Sequence, residues 1–216
     1  LSDIIRQDNQ EIRLSVLNYY NIKKVILHKR WYGSHIDWRI FANTFITYNW
    51  TKYKDWYANE HYNKTKELLD SFLIKSYEDE DTLVYEVPLE ENQIPFMLMS
   101  EGWYGLEEDD DRKFSWIKGS KGAVEIISPN ELNTNISFSV DLFYKGKNLE
   151  IIFNDKLLDK YFIEKRGDIK QNLSLKKGKN KLEFKVGDKC IRPVDIGESM
   201  DIRCLSLAIE NIKLGD

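Results

Sequence analysis

Beyond about Gln93 the sequence breaks into short runs in which apolar and polar residues alternate, each run closed by turn-forming residues. The runs are Phe114 to Ile117, Ala123 to Ile127, Asn135 to Phe143, Asn148 to Phe153, Lys160 to Glu164, Ile169 to Leu175, Lys181 to Val186 and Cys204 to Leu214. A period of two sends one side of an extended segment toward a core and the other toward water. Eight such runs, with Gly-Lys turns at 146 and 178 and a further glycine turn near 187, predict an antiparallel β-sandwich of jelly-roll type over 93–216. No helical period of useful length follows residue 100.

The first 92 residues predict something else, a small α/β unit. Asp8 and Glu11 have the spacing of a capping box, and Ile12, Val16, Leu17 and Tyr20 then share one helical face. Lys24 to His28 is a compact β-branched run, expected as a buried strand. Residues 30–62 are irregular and hold Trp31, Trp38, Trp50 and Trp56. Leu68, Leu69, Phe72 and Leu73 sit at helical spacing, giving a second helix that begins near Asn59 to Asn63. Leu73 to Tyr77 and Thr82 to Val87, joined by the acidic turn Glu78 to Asp81, form a hairpin. The fold class expected is therefore α+β, with domains over 1–92 and 93–216.

Composition narrows the function classes. With 42% hydrophobic residues in 216, the chain carries enough apolar surface for a real core. Lys and Arg total 32 against 36 Asp and Glu, a formal net charge of -4, so no general attraction to phosphate backbones follows and nucleic acid is not expected as a partner. No apolar stretch approaches the roughly 20 residues that span a bilayer, and no signal segment opens the chain. The chain begins at Leu1 rather than Met, which fits a segment of a longer protein.

Cys190 and Cys204 are the only cysteines, and a bridge between them would close a loop of about 15 residues, worth about 3 kcal/mol, in an oxidising compartment. Two buried thiols in a cytosolic protein are the other reading. Sequons at Asn49, Asn63, Asn135 and Asn172 are compatible with an exterior location.

Aromatic residues reach 13%, and the most distinctive string is Glu101 to Glu107, followed by an acidic run to Asp111 and then Arg112 to Trp116. Trp103, Tyr104 and Trp116 could offer flat faces to sugar rings, with Glu107 and Arg112 bonding hydroxyls. The reading favoured over this is that Trp103 and Trp116 plug the end of the sandwich. Five consecutive carboxylates from Glu107 to Asp111 invite a calcium site, but their spacing fits no calcium loop and a solvated hairpin tip is favoured. Arg192 and Arg203 flank the loop that leads into the last strand, and could fork onto an acidic partner or sugar hydroxyls, or fix that loop by internal pairs.

Catalytic signatures are missing. His28, His35 and His61 are the only histidines, without HExxH or another short two-histidine metal spacing, so no metal site is expected. No G-x-S-x-G elbow, GxGxxG or GxxxxGK[ST] occurs, so no catalytic residue and no cofactor is assigned.

The order of GWYGLE, a strand ending in FSWIKG, an NxL turn, RP, and the terminal DIRCLSLAIENIKL resembles the C-terminal extracytoplasmic β-sandwich of polytopic membrane glycosyltransferases of the GT-C type. The segments YYNIKKVILHK and DTLVYEVP likewise look like the small α/β region that follows the last membrane helix in such proteins. The resemblance spans about residues 9 to 214. It implies a non-catalytic domain on the outer face of the membrane, anchored by helices upstream of this chain, that binds or positions glycan or lipid-linked sugar. A WWDYG string is absent, so Trp103, Tyr104 and Gly105 inherit no role from oligosaccharyltransferases. Three other readings stand beside it: a free secreted or surface carbohydrate-binding module, a polysaccharide hydrolase using Glu107 and Glu108, and a structural role in subunit assembly.

Overall fold

The computed structural model describes residues 9–28, 45–48, 55–89, 93–109, 112–187 and 190–215, with the backbone alone at 28, 45–48 and 55–61. Most of the irregular tryptophan-rich stretch, His35 and the sequon at Asn49 lie outside the described residues, as do the side chains of His28 and His61. The chain divides into two compact units, Leu1–Ile94 and Pro95–Asp216.

In the first unit, helix α1 (Gln10–Tyr19) starts where the Asn9 side chain accepts hydrogen bonds from the backbone N–H groups of Glu11 at 2.8 Å and Ile12 at 3.4 Å. The cap is thus Asn9 rather than Asp8. The helix ends before Asn21, whose φ of 54° turns the chain, so Tyr20 leaves the helical period and stands exposed. Strand β1 (Lys24–His28) pairs in parallel with β2 (Phe45–Tyr48) and antiparallel with β4 (Thr82–Glu86), which pairs with β3 (Ile74–Glu78). Helix α2 (Asp55–Asp70) begins four residues before the expected start. Leu14 and Leu17 of α1, with Leu69 of α2 and Leu73 just beyond it, share a core with Val25, Leu27, Leu83, Tyr85 and Val87. The buried Tyr85 hydroxyl donates to the Asp70 carboxylate at 2.9 Å. The β3–β4 turn is closed by Asp79, whose carboxylate accepts from the N–H groups of Asp81 and Thr82.

The second unit consists of two five-stranded antiparallel sheets. Sheet one has the order β11 (Lys156–Ile163), β10 (Lys147–Phe153), β13 (Gly178–Val186), β8 (Lys121–Ser128), β5 (Phe96–Met99). Sheet two has the order β12 (Gly167–Leu175), β9 (Leu132–Leu142), β14 (Leu207–Leu214), β7 (Arg112–Trp116), β6 (Glu107–Asp109). The alternation seen in the sequence is the burial pattern: Ile136, Phe138 and Val140 of β9 and Ile169, Leu173 and Leu175 of β12 meet Leu149, Ile151, Leu182 and Phe184 of sheet one in a single core. Each inward position removes apolar surface at about 25 cal/mol per Å².

Three strands lie outside the expected runs: β2, inside the stretch expected to be irregular, and β5 and β6 of the second unit. In β5, Phe96 to Met99 is a continuous apolar run, and in β6 three consecutive carboxylates have poor strand propensity. Strand β6 forms because it folds back on β7, pairing Glu107 with Phe114 and Asp109 with Arg112.

Outward-facing side chains differ between the sheets. On sheet one they form a lattice of opposite charges: Glu150 with Lys160 and Lys185, Glu183 with Lys121 and Lys181, and Glu125 with Lys179. Sheet two carries a different outer surface.

Candidate functional site

Strand register places the outer face of sheet two. Directly opposed residues share a face, so Phe114 stands beside Glu210, Glu210 beside Ser139, and Ser139 beside Asp168, in one row across β7, β14, β9 and β12. A second row joins Trp116, Ala208 and Asp141. Trp116 is half-buried, with Phe114 at 6.0 Å and Phe143 at 6.1 Å, both edge-on to its ring. Its opposite neighbour is only an alanine.

Glu210 is 1% exposed although it points away from the core. Its two carboxylate oxygens are taken by two arginines, Arg166 Nη2 at 2.6 Å and Arg112 Nη1 at 3.4 Å. Burying a carboxylate is costly unless it is paired and hydrogen-bonded, and this one is paired on both sides. Arg112 also binds Asp109 at 2.8 Å and Asp141 at 3.5 Å, and lies 5.7 Å from the centre of the Phe114 ring.

Next to this network the ladder breaks. The β14–β9 register shifts between Glu210 and Lys213, with Asn211 at a φ of 50°. A groove of about 360 Å³ opens there, lined by Ser137, Ser139, Asp168, Lys170, Asn211 and Lys213 over the backs of Phe138 and Ile169. The Ser139 hydroxyl donates to Asp168 at 2.6 Å. The outer face thus joins an aromatic end, a paired charge cluster and a polar groove, a combination suited to a ligand with apolar ring faces and many hydroxyls.

The sequence-predicted residues are distributed over three places. Trp116 and Arg112 belong to this face. Trp103 belongs to the core: its indole lies edge-on to Phe184 at 5.7 Å and its N–H donates to the Ala123 carbonyl at 2.7 Å. The ring rests on Gly122, where an added Cβ would come within 2.8 Å of Trp103 Cζ2. Gly102 makes the approach possible, with a φ of +83° and no room for a side chain against the Lys121 carbonyl.

Tyr104, Glu107 and Arg203 form a third group at the β6 edge. Arg203 binds Glu107 with Nη1 at 2.5 Å and Nη2 at 3.3 Å, binds Asp201 with Nε and Nη2, and lies 5.4 Å from the centre of the Tyr104 ring. The Arg203 guanidinium, and then the Arg203 backbone N–H, hold the Asp201 carboxyl below the usual aspartate range. The Tyr104 hydroxyl accepts from the Cys204 N–H at 3.1 Å. Cys190 and Cys204 form a disulfide with a Cα–Cα distance of 5.2 Å, reinforced by paired backbone bonds between Ile191 and Leu205. Arg192 is engaged in a two-bond pair with Asp195 inside the same loop. Glu107, Arg203 and Arg192 therefore spend their charge on each other and their neighbours.

Ser137, Ser139, Arg166, Asp168, Lys170, Asn211 and Lys213 meet on this face without a sequence motif. No local signal marks them, because they come from separate strands and the turn before β12. Among the described residues no group of three or more His, Cys, Asp or Glu side chains has metal-binding geometry, and no helix is long and apolar enough to cross a membrane.

No protein-family model matches the chain, and no curated protein matches it. Solved structures that it resembles include carbohydrate-binding modules and multidomain enzymes. A family 35 carbohydrate-binding module from an environmental isolate aligns with 7% identity and a TM-score of 0.35, covering 55% of this chain and 92% of the module. A module from Cellvibrio mixtus lichenase 5A, in complex with cellotriose, aligns with 12% identity and a TM-score of 0.33, over 55% of this chain and 89% of the module. The Podospora anserina GH26-CBM35 β-(1,4)-mannanase gives 12% identity and a TM-score of 0.33, over 56% of this chain and 28% of the enzyme. The chain therefore spans nearly all of the isolated modules but under a third of the mannanase.

Proposed function

We propose that the sandwich unit is a non-catalytic glycan-recognising module working outside the cytoplasm, and that its binding surface is the outer face of sheet two. The observation that carries the reading is the juxtaposition, on one strand-register surface, of the Phe114, Trp116 and Phe143 rings with a groove of about 360 Å³ lined by Ser137, Ser139, Asp168, Lys170, Asn211 and Lys213. Sugar rings present apolar C–H faces that stack on aromatic ring faces and hydroxyls that need donors and acceptors. The reading rests on this geometry and not on the likeness to carbohydrate-binding modules, whose TM-scores are 0.35 and 0.33. The disulfide motivates the location, since such bonds persist in oxidising compartments.

Glycan-array screening of the full chain tests this. A positive glycan class whose signal falls at least about tenfold in Trp116→Ala, with an unchanged circular dichroism spectrum, supports the module. An array without any retained glycan removes it.

Attachment to a membrane glycosyltransferase, with lipid-linked sugar as the partner, is a separate proposal that rests on the sequence resemblance alone. The reading frame upstream of Leu1 tests it: eight or more apolar spans of about 20 residues support it, and their absence from the complete frame removes it.

A further inference from the structure

We infer, resting on the reading that this face binds glycan, that the groove selects an uncharged sugar and that the Asp168 carboxylate accepts its hydroxyls, positioned for that by Ser139.

Asp168 differs from the other outward-facing acids of sheet two. Glu107, Asp109, Asp141 and Glu210 are each paired with an arginine. Asp168 is exposed, lines the groove, and meets no cation at ion-pair distance among the described residues. What holds it is a neutral group, the Ser139 hydroxyl, which donates to Oδ1 at 2.6 Å. A carboxylate has about four acceptor positions, and among the described residues Oδ2 takes no bond. The carboxylate is thus fixed by one bond and still able to accept others. Bonds from hydroxyls to a carboxylate are shorter and stronger than those to a neutral oxygen.

Strand register supplies the complementary donors. Glu210, Ser139 and Asp168 form one row across β14, β9 and β12, and Lys213, Ser137 and Lys170 form the next. The rows are two residues apart along β9 and β12, or about 7 Å. Asn211, whose side-chain amide both donates and accepts, sits at the break in the ladder between Glu210 and Lys213. Neighbouring hydroxyls on one sugar ring can therefore donate to Asp168 and accept from Asn211 or Lys213.

Charge in the lining is balanced, which sets the ligand class. Asp168 stands against Lys213, Lys170 has an interaction of its own, and Glu210 beside the groove already holds Arg112 and Arg166. A uronate or sulfate would bring a second anion to Asp168, and an amino sugar a second cation to Lys213. Like charges brought together oppose binding. An uncharged polyhydroxyl ring meets neither penalty.

An array carrying neutral, uronate, sulfated and amino-sugar oligosaccharides at equal density tests this with the full chain, comparing wild type with Asp168→Asn, Ser139→Ala and Ser139→Thr. Neutral glycans should be retained at least about tenfold more strongly than charged ones. Asp168→Asn should lower their signal about tenfold, because a charge-assisted acceptor becomes an ordinary one. Ser139→Ala should lower it about threefold, and Ser139→Thr, which keeps the hydroxyl, should restore it to within about twofold. Methylating the hydroxyl that Asp168 accepts should cost as much as Asp168→Asn and add nothing to it. Circular dichroism confirms that each variant keeps its fold. Preferential retention of charged glycans, or neutral-glycan signals that Asp168→Asn leaves within about twofold of wild type, overturns the inference and leaves the glycan reading intact. A Ser139→Ala loss that threonine does not restore overturns the positioning role. An empty array removes both the inference and the glycan reading.

Discussion

Arg203 and Glu107, 96 residues apart in sequence, are joined by two parallel bonds of 2.5 and 3.3 Å that tie the strand β6 edge to the disulfide-closed loop. Arg203→Ala breaks these and the bonds to Asp201 together, leaving two carboxylates without their cation. Urea unfolding of the second unit should show a loss of about 2 kcal/mol. Glu107→Gln keeps one acceptor and should cost less than half of that.

The disulfide contribution is separable from the ion pairs. Cys190 and Cys204 are 14 residues apart, and replacing both by serine should lower stability by about 3 kcal/mol through the freed unfolded chain. Thermal melts with and without reductant on the wild type should reproduce the difference. A melt that reductant does not move would mean that the loop is held without the bond.

Gly122→Ala should be destabilising although it only adds a methyl group. The new Cβ would press on Trp103 at 2.8 Å, with the indole already fixed by its bond to Ala123. A cost of about 1–3 kcal/mol is expected, measured by denaturant midpoint. Pairing it with Trp103→Phe should recover part of the loss, because the smaller ring vacates that space.

Acid sensitivity follows from Asp201. Its carboxyl titrates below the ordinary aspartate value of 3.8, first because of the Arg203 side-chain bond and then because of the Arg203 N–H. A lowered folded-state pKa contributes stability that is fully present above the unfolded value and is lost as pH falls through the folded one. Asp201→Asn should therefore be less stable than wild type at neutral pH, and the gap should close as the pH is taken below 3.8. A gap that persists unchanged at low pH would exclude the ionised pair as its source.

These predictions concern contacts of different visibility in the sequence. Most sandwich strands were legible because alternation is local: Ile136, Phe138 and Val140 announce an inward face before any partner is known. The carboxylates of β6 announce nothing, since their strand exists only by pairing with β7. The aromatic string around Trp103 allows both a ligand platform and a plug of the sandwich end, and what assigns it to the core is Gly122, on another strand. The outer face of sheet two was the least legible. Its groove depends on a break in register between Glu210 and Lys213 and on residues that only the strand order brings side by side.

We propose the outer face of sheet two as the place where glycan binds. A ¹H–¹⁵N correlation spectrum of the labelled chain, titrated with a glycan retained on the array, tests it most directly. The largest shift changes should fall on Ser137, Ser139, Lys170, Asn211 and Lys213 and on the Trp116 indole N–H, with Arg192 and the loop around it unmoved. Shift changes centred on Tyr104, Arg192 and Arg203, with the groove silent, would contradict it.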